Sequence, residues 1–352
     1  MTHPALQTRL TTLLGVPRPI VQTGMGWVAG ARLTAATSNA GGFGILGSAT
    51  MDMAQLRAAV KEIKDRTEAP FGVNLRADSP DIEDRLDLLI KERVRVGSFA
   101  LAPEERLVKR LKDAGVAVIP SVGARRHAEK VVAWGVDAVL VQGGEGGGHT
   151  GGVPTSLLVP QVVDAVDVPV IAAGGFFDGR GLVAALAYGA DGIAMGTRFL
   201  LTKDSTVPDE VKRVYLAKTV TDTLVTTQVD GVPHRVLRTD FTEHLDRSSR
   251  LTSLPRALRN AARFKRISGL RWRDMLREGR AMRTRQELTW SQVVMAANTP
   301  MLLRAAMVEG RPDLGVMSSG QVVGVIDELP TVQELLDRII AEAEETLRRL
   351  TG

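Results

Sequence analysis

His149 is the residue of this chain whose type and position point most directly to chemistry. It is one of five histidines among 352 residues, and it lies in a glycine-rich stretch, Gly143–Gly152, that follows a short apolar run. Because an imidazole gains and loses a proton near neutral pH, a histidine in such a loop is a candidate general base. We expect Glu145, in the same loop, to be solvated. The chain has neither H-E-x-x-H nor G-x-S-x-G, which disfavours a zinc protease and a serine hydrolase.

Two later apolar runs end in small residues, Gly174–Gly175 and Gly196–Thr197. Glycine lets a backbone approach a ligand closely, and backbone N–H groups bind phosphate. These turns therefore predict a phosphate site, with plain tight turns as the alternative. The stretch Gly146–Gly151 matches G-x-G-x-x-G. It is not a dinucleotide fingerprint, because His149 and Pro154 interrupt the helix that should begin there.

The elements that must position these residues alternate regularly over about the first 200 positions. Eight short apolar or β-branched runs predict strands: Ile20–Gln22, Gly44–Leu46, Phe71–Asn74, Gly97–Ala100, Ala117–Pro120, Ala138–Val141, Pro169–Ala172 and Gly192–Met195. Helical patterns separate most of them: Met53–Lys64, Ile82–Lys91, Pro103–Ala114, Ala124–Trp134, Thr155–Val163 and Gly179–Tyr188. Eight such units favour an α/β fold, a TIM (β/α)₈ barrel, over a doubly wound open sheet.

The rest of the chain breaks this rhythm. Thirteen lysines and arginines lie between Arg247 and Arg285, against two acids, Asp274 and Glu278. We predict a small helical insertion after the eighth strand, and C-terminal helices over Thr289–Met307 and Thr331–Leu350 that pack back on the barrel. The predicted division is a barrel domain over 1–200, a basic helical insertion or small domain over 201–288, and C-terminal helices with a loop that returns to the barrel over 289–352.

Composition limits the function classes. Hydrophobic residues make up 44% of the chain and charged residues 24%, as in ordinary globular proteins. The chain has no cysteine, which excludes disulfides, iron–sulfur clusters and a cysteine nucleophile. We find no signal peptide and no apolar run long enough to span a membrane, and we expect a cytoplasmic protein. A net charge of +5 with no binding motif gives no support for a nucleic-acid partner.

Six segments in register resemble the nitronate monooxygenase family, formerly called 2-nitropropane dioxygenases, which includes flavin-dependent enoyl reductases. The segments are Pro19–Met25, Asn39–Leu46, Phe71–Asn74, Gly143–Gly151, Ala172–Gly175 and Met195–Phe199. The resemblance implies a TIM barrel, noncovalent FMN and a histidine base, here His149. It also implies a set of flavin-binding residues: Gly24, Met25 and Gly26 along the isoalloxazine ring, Asn74 and Gln142 on its polar edge or ribityl chain, Gly148 lining the site, Gly174, Gly175, Gly196 and Thr197 at the phosphate, and Gly320 and Gln321 returning from the C-terminal segment.

Departures from the family pattern shift the expected substrate. Typical nitronate oxidases have alanine in place of Gly146 and arginine in place of Thr150. The segments Asp178–Gly181, Thr289–Gln292 and Ala296–Met301 resemble a narrower group that degrades the steroid CD-ring remnant as a coenzyme A thioester. Coenzyme A carries phosphates that arginine and lysine bind well. We therefore predict a coenzyme A phosphate site in the basic segment, at Arg259, Arg263, Lys265 and Arg266; a solvated basic helix face is the alternative.

The sequence thus predicts an FMN-dependent oxidoreductase that acts on an acyl-CoA, with His149 as the base and electrons passing to the flavin. Three alternatives stay open: a nitronate monooxygenase that uses O₂, an NAD(P)H-dependent enoyl or quinone reductase, and a flavin-free barrel of the binding or aldolase type. We expect a small-molecule substrate, no metal and possibly a homo-oligomer.

Overall fold

The computed structural model describes residues 3–100, 102–247 and 298–352. Eight parallel strands form a barrel: β1 (Ile20–Gln22), β2 (Phe43–Gly47), β3 (Phe71–Leu75), β4 (Val96–Phe99), β5 (Ala117–Val122), β6 (Val139–Gln142), β8 (Val170–Ala173) and β9 (Gly192–Met195). They close in the order β1-β2-β3-β4-β5-β6-β8-β9. The barrel closes where β1 pairs with β9, Val21 opposite Ala194. The predicted (β/α)₈ class is confirmed, and the open doubly wound sheet is wrong.

Helix α1 (Arg9–Leu14) precedes the first strand. The helices that follow it surround the barrel: α2 (Ala31–Asn39), α3 (Met53–Arg66), α4 (Ile82–Lys91), α5 (Glu105–Asp113), α6 (Arg125–Ala133), α7 (Thr155–Val163), α8 (Gly179–Ala187) and α9 (Thr197–Leu200). Local capping sets several starts. Asp52 and Gln55 form a capping box before α3, and the Asp178 carboxylate accepts the Gly181 N–H at the start of α8.

The packing leaves one end of the barrel for a ligand. Inward-facing strand residues such as Phe43, Ile45 and Ile119 form one buried cluster. Leu10 and Leu14 of α1 belong to the same cluster and cover the end from which the strands begin. The opposite end, where the strands finish, carries the loops that follow them. In (β/α)₈ barrels that is the end where active sites lie.

A second sheet joins one of these loops to the segment that follows the barrel. Strands β10 (Thr223–Thr226) and β11 (His234–Leu237) form an antiparallel hairpin, and β7 (Gly148–His149) extends it, with His149 opposite His234. Helix α10 (Asp209–Leu216) precedes the hairpin and α11 (Asp240–Arg247) follows it. The small helical insertion predicted after the barrel therefore contains a hairpin beside its helices over 201–247, because a turn between two apolar runs folds back.

The C-terminal segment completes the helical layer. Helix α12 (Asn298–Met307) and a short 3₁₀ helix (Gln321–Val325) lead to α13 (Val332–Thr351), which packs between α8 and α2. There α13 occupies the place of an eighth barrel helix, since α9 has only four residues. A Cβ at Gly179 would lie 2.3 Å from the Ala343 nitrogen, so this contact requires glycine. The predicted final helix is confirmed to within one residue.

Residues 248–297 lie outside the described residues. They include the first part, 289–297, of the helix predicted over Thr289–Met307 and the basic residues from Arg250 to Arg285. The division at 200 and 288 stays a prediction. Within the described ranges, no helix is both long and apolar enough to cross a membrane.

Candidate active site

A cavity of about 300 Å³ lies at the end of the barrel where the strands finish. The loops after β1, β6, β8 and β9 line it, together with Asn74 of β3 and a C-terminal strip formed by Ser318, Gly320 and Val322. The structure brings together twelve of the residues predicted from the sequence: Gly24, Met25, Gly26, Asn74, Gln142, Gly148, His149, Gly174, Gly175, Gly196, Thr197 and Gly320. These residues are spread over almost 300 positions of the chain, and the barrel topology places them around one space.

Gln321 behaves differently from its neighbour Gly320. It starts the 3₁₀ helix, donates its backbone N–H to the Glu145 carbonyl and lines an adjacent cavity of about 540 Å³. Gln321 is therefore not among the residues that line the cavity at the strand ends, and its contact with the flavin stays a prediction. Arg259, Arg263, Lys265 and Arg266 lie outside the described residues.

Backbone packed against amide side chains forms the cavity wall. A Cβ at Gly24 would lie 2.3 Å from the Asn74 Cβ, and one at Gly146 would lie 2.6 Å from the Gln142 amide nitrogen. Gly174 and Gly175 have φ of 97° and 85°, values that favour glycine. A side chain at Gly24 or Gly146 would thus collide with an amide residue of the wall. A smooth slot bordered by amides fits a flat, polar-edged ring system such as a flavin.

Some polar side chains of the cavity wall make hydrogen bonds within the protein. The Gln142 amide nitrogen donates to the carbonyls of Gly147 and His149, so the amide holds the glycine loop and keeps its oxygen as an acceptor for a ligand. The Thr197 hydroxyl accepts the Gly320 N–H, which ties the C-terminal strip to the loop after β9. Both contacts shape the cavity before any ligand binds.

Glu145 has a structural role that the sequence did not indicate. Its carboxylate accepts the backbone N–H of Thr155 at 2.8 Å and lies 2.5 Å from the Thr155 hydroxyl, at the start of α7. The prediction that Glu145 is solvated is wrong, because the loop folds back onto the helix that follows it. Within the described part of the chain, its side chain contacts Thr155 rather than His149.

His149 is held by a carboxylate that sequence analysis missed. Its Nε2 lies 2.6 Å from Oδ2 of Asp230, in the loop between β10 and β11. The His149 side chain is 56% exposed toward the cavity, whereas that of Asp230 is 6% exposed. Burial raises the pKa of Asp230, but the hydrogen bond from His149 and the nearby His234 outweigh it, and the pKa lies well below its usual range. Asp230 is therefore ionised.

A second histidine completes this cluster. The His234 ring centroid lies 4.7 Å from that of His149, and its Nδ1 is 3.8 Å from Oδ2 of Asp230. Its Nε2 shares a hydrogen bond of 2.8 Å with the Ser318 hydroxyl. Burial lowers the pKa of His234, so this imidazole is neutral near pH 7.

The same three residues are the set that could hold a metal ion. Their ligand atoms lie within 4.8 Å of one another. However, Nε2 of His149 and Oδ2 of Asp230 are 2.6 Å apart, which is the separation of a strong charge-assisted hydrogen bond. The arrangement thus fits a shared proton better than a shared ion.

Apolar side chains form the remaining wall of the cavity, with Leu303 and Met307 of α12 facing Phe176 and Val322. The Arg304 guanidinium lies over the Trp27 ring, 5.6 Å from its centroid, and so links α12 to the loop after β1. The cavity therefore combines a polar slot with an apolar side that suits a hydrocarbon substrate.

The neighbouring cavity lies on the other side of the glycine loop. Arg235 of β11 contributes to its wall and donates to the Gly144 carbonyl and the Thr223 hydroxyl. Burial lowers the pKa of this guanidinium, which still remains charged at neutral pH. Arg235 thereby fixes the hairpin to the loop that carries His149.

Comparison with known proteins identifies the family of this chain. The family model described as nitronate monooxygenase matches residues 7–87 and 81–342. A relative in Mycobacterium tuberculosis is 61% identical over 341 residues and covers 96% of both chains. Its name is (3aS,4S,5R,7aS)-5-hydroxy-7a-methyl-1-oxo-octahydro-1H-indene-4-carboxyl-CoA dehydrogenase. A probable nitronate monooxygenase of Staphylococcus saprophyticus is 32% identical and covers 67% of this chain and 80% of its own.

Among solved structures, FabK from Thermotoga maritima is 36% identical, with a TM-score of 0.80 over 98% of this chain and 99% of that chain. A nitroalkane oxidase from Streptomyces ansochromogenes is 27% identical, with a TM-score of 0.78 over 97% and 99%. The match in sequence and in structure spans the barrel, the hairpin and the C-terminal strip. The chain belongs to the nitronate monooxygenase family of flavin-dependent oxidoreductases.

Proposed function

We propose that this protein is an FMN-dependent dehydrogenase of an acyl-CoA thioester that carries a bicyclic steroid-ring fragment. The proposal rests on the position of His149. This histidine is hydrogen-bonded to a buried carboxylate and lies at the edge of a slot that has glycine-rich walls and one apolar side. The 61% identity to a dehydrogenase of an indane-carboxyl-CoA supports the substrate class.

The residues that line the slot divide between the two ends of FMN. Gly174, Gly175, Gly196 and Thr197 offer backbone and hydroxyl groups for the phosphate, and Gly24–Gly26 offer a flat backbone for the ring. Asn74 and the Gln142 oxygen are suited to the polar atoms of the ring or the ribityl chain. When bound, the flavin supplies the two-electron redox chemistry that no side chain of this protein can provide.

His149 supplies the proton chemistry. The substrate would lose two hydrogens and gain one double bond. One hydrogen would leave as a proton to His149, from an acidic carbon or a hydroxyl, and a bound flavin would supply the acceptor for the other hydrogen and its two electrons. Leu303 and Met307 form an apolar wall suited to the ring fragment.

The coenzyme A portion requires cationic groups near the mouth of the site. The basic segment supplies them in this proposal, with Arg259, Arg263, Lys265 and Arg266 as the candidates. Arginine-to-alanine changes across this segment should raise KM for a CoA thioester and spare oxidation of a small nitronate.

The deciding experiment is the visible spectrum of the purified protein, followed without oxygen as substrates are added. Bleaching of the flavin band by a hydroxy-indane-carboxyl-CoA, with no nicotinamide present, is the expected result. Bleaching by an alkyl nitronate alone, with recovery in air, would assign nitronate oxidation instead. Bleaching by NAD(P)H, with recovery on addition of an enoyl-CoA, would assign a reductase. Chromatography of the heat-released cofactor should identify FMN rather than FAD.

A further inference from the structure

Asp230 lies outside the barrel and contacts the proposed base from behind. We infer that Asp230 is the positioning residue for His149, and that it makes Nδ1, not Nε2, the atom that receives the substrate proton. This inference deepens the proposed function and rests on His149 acting there as the base.

Asp230 determines which nitrogen of the neutral His149 ring carries the hydrogen. Asp230 is ionised and can only accept hydrogen bonds, and its Oδ2 lies 2.6 Å from Nε2 of His149. Nε2 must therefore carry the hydrogen of the neutral ring. The lone pair is then on Nδ1, so a base in this loop must use that atom.

Further hydrogen bonds hold Asp230 and His149 in fixed positions. The other oxygen of Asp230, Oδ1, accepts the Val232 N–H at 3.2 Å, which fixes the rotation of the carboxylate. The backbone of His149 is fixed independently, because it pairs with His234 and its carbonyl accepts from the Gln142 amide at 2.8 Å. Base and carboxylate are thus held on separate elements in one relative position, as preorganised proton transfer requires.

The proton that His149 accepts from the substrate stays on His149. A proton taken by Nδ1 creates an imidazolium next to the Asp230 carboxylate, which stabilises it. His234 does not compete for this proton, because it is buried, only 2% exposed, and its Nε2 is occupied by Ser318. The proton is therefore held on His149, next to the cavity, until it leaves to solvent.

A merely structural role for Asp230, as a support for the hairpin turn, makes different predictions, and Asp230→Asn separates the two. The introduced amide can donate to Nε2, which would move the ring hydrogen to Nδ1 and remove the lone pair that receives the substrate proton in this inference. We expect kcat to fall by about 10²- to 10⁴-fold, the range for loss of a general base or of its tautomer. KM and flavin content should change by less than about threefold. Asp222→Asn is the matched control, because Asp222 also accepts turn hydrogen bonds beside the hairpin, from Thr219.

Nitrogen-15 NMR of labelled histidine tests the inference without turnover. In the wild-type holoenzyme the His149 ring should show hydrogen on Nε2, and in Asp230→Asn on Nδ1; His149→Gln identifies the signal. Hydrogen on Nδ1 in the wild-type protein would overturn the inference, even if the variant failed to fold. Wild-type turnover in Asp230→Asn would also overturn it.

This pair of measurements also separates the inference from the proposed function. If no acyl-CoA bleaches the flavin, the proposed substrate is wrong, but the tautomer can still be read. The Asp230→Asn effect can then be measured with whichever substrate does bleach the flavin.

Discussion

The barrel loops and the β10–β11 hairpin contribute different things to one site. The barrel loops contribute shape, through glycines so close to their neighbours that a Cβ at Gly24 would meet Asn74. The hairpin contributes ionisable groups, Asp230 and His234, that are buried and paired. His149 belongs to both, since its loop leaves β6 of the barrel while its backbone pairs with β11. The difference suggests that the cofactor slot and the control of the proton can be perturbed separately.

The largest effect is expected from removal of His149, the residue that the two regions share. His149→Ala should keep the flavin bound and lower kcat by about a hundredfold or more, because the base is gone while the slot is intact. Stopped-flow reduction of the flavin by the substrate measures this step directly. His127→Ala, at an exposed position on α6, is the control. Unchanged flavin reduction would remove His149 from the mechanism.

The next largest effect is expected from a change in the shape of the cofactor slot alone. Gly24→Ala would place a Cβ 2.3 Å from the Asn74 Cβ, so the backbone must move, and we expect flavin affinity to fall about tenfold or more. Gly123→Ala is the matched control, because a Cβ there meets nothing within 4 Å. Flavin content after gel filtration measures the loss. If Gly24→Ala retained flavin as well as Gly123→Ala does, the close contact would not define the slot.

The buried His234 of the hairpin should make the unfolding free energy depend on pH. Burial lowers the folded-state pKa of His234 from 6.5, so below about pH 6.5 the unfolded chain binds a proton that the folded chain does not. The unfolding free energy then falls with decreasing pH, by up to about 1.4 kcal/mol per pH unit for one such proton. Urea unfolding of His234→Gln should show a shallower fall. Equal slopes in variant and wild type would show that His234 titrates alike in both states.

The smallest effect lies away from both regions. Thr331 caps α13, with its side chain accepting the Glu334 N–H, so Thr331→Ala should cost about 1 kcal/mol of stability. Thermal unfolding measures this, with Thr351→Ala at the other end of the helix as the control. Turnover at 25 °C should be unchanged; a loss of turnover would mean that α13 influences the site.

Much of the barrel side could be predicted from the sequence. Short apolar runs followed by small residues mark strand ends, and a (β/α)₈ order places those ends around one opening. That logic located the turns at Gly174 and Gly196, and the resemblance to a family added Gly24 and Asn74. Each of these signals is local, because the residue and the strand that positions it are neighbours in the chain.

The hairpin side could not be predicted in the same way. Asp230 is 81 positions from His149 and contacts it only through the register of a two-residue strand, Gly148–His149. So short a strand has no apolar periodicity to detect. One usable signal was present: Val225, Val229 and His234 flank a turn that contains Asp230 and Gly231, as in a hairpin. Glu145 was missed for a related reason, since its partner Thr155 follows a turn that glycines leave undetermined.

The position of α13 has a consequence for how this protein can vary. Its contacts with α8 and α2 lie on either side of the barrel seam, so the chain leaves the barrel after α9 and rejoins it at residue 332. The described part of this connecting segment contacts the barrel through its loops, at β7, Thr197 and Trp27. The entropy of closing a flexible connection grows only logarithmically with its length, about 0.6 kcal/mol for each doubling. The segment that supplies Asp230, α12 and the basic residues could therefore be lengthened, shortened or exchanged while the barrel beneath it keeps its form.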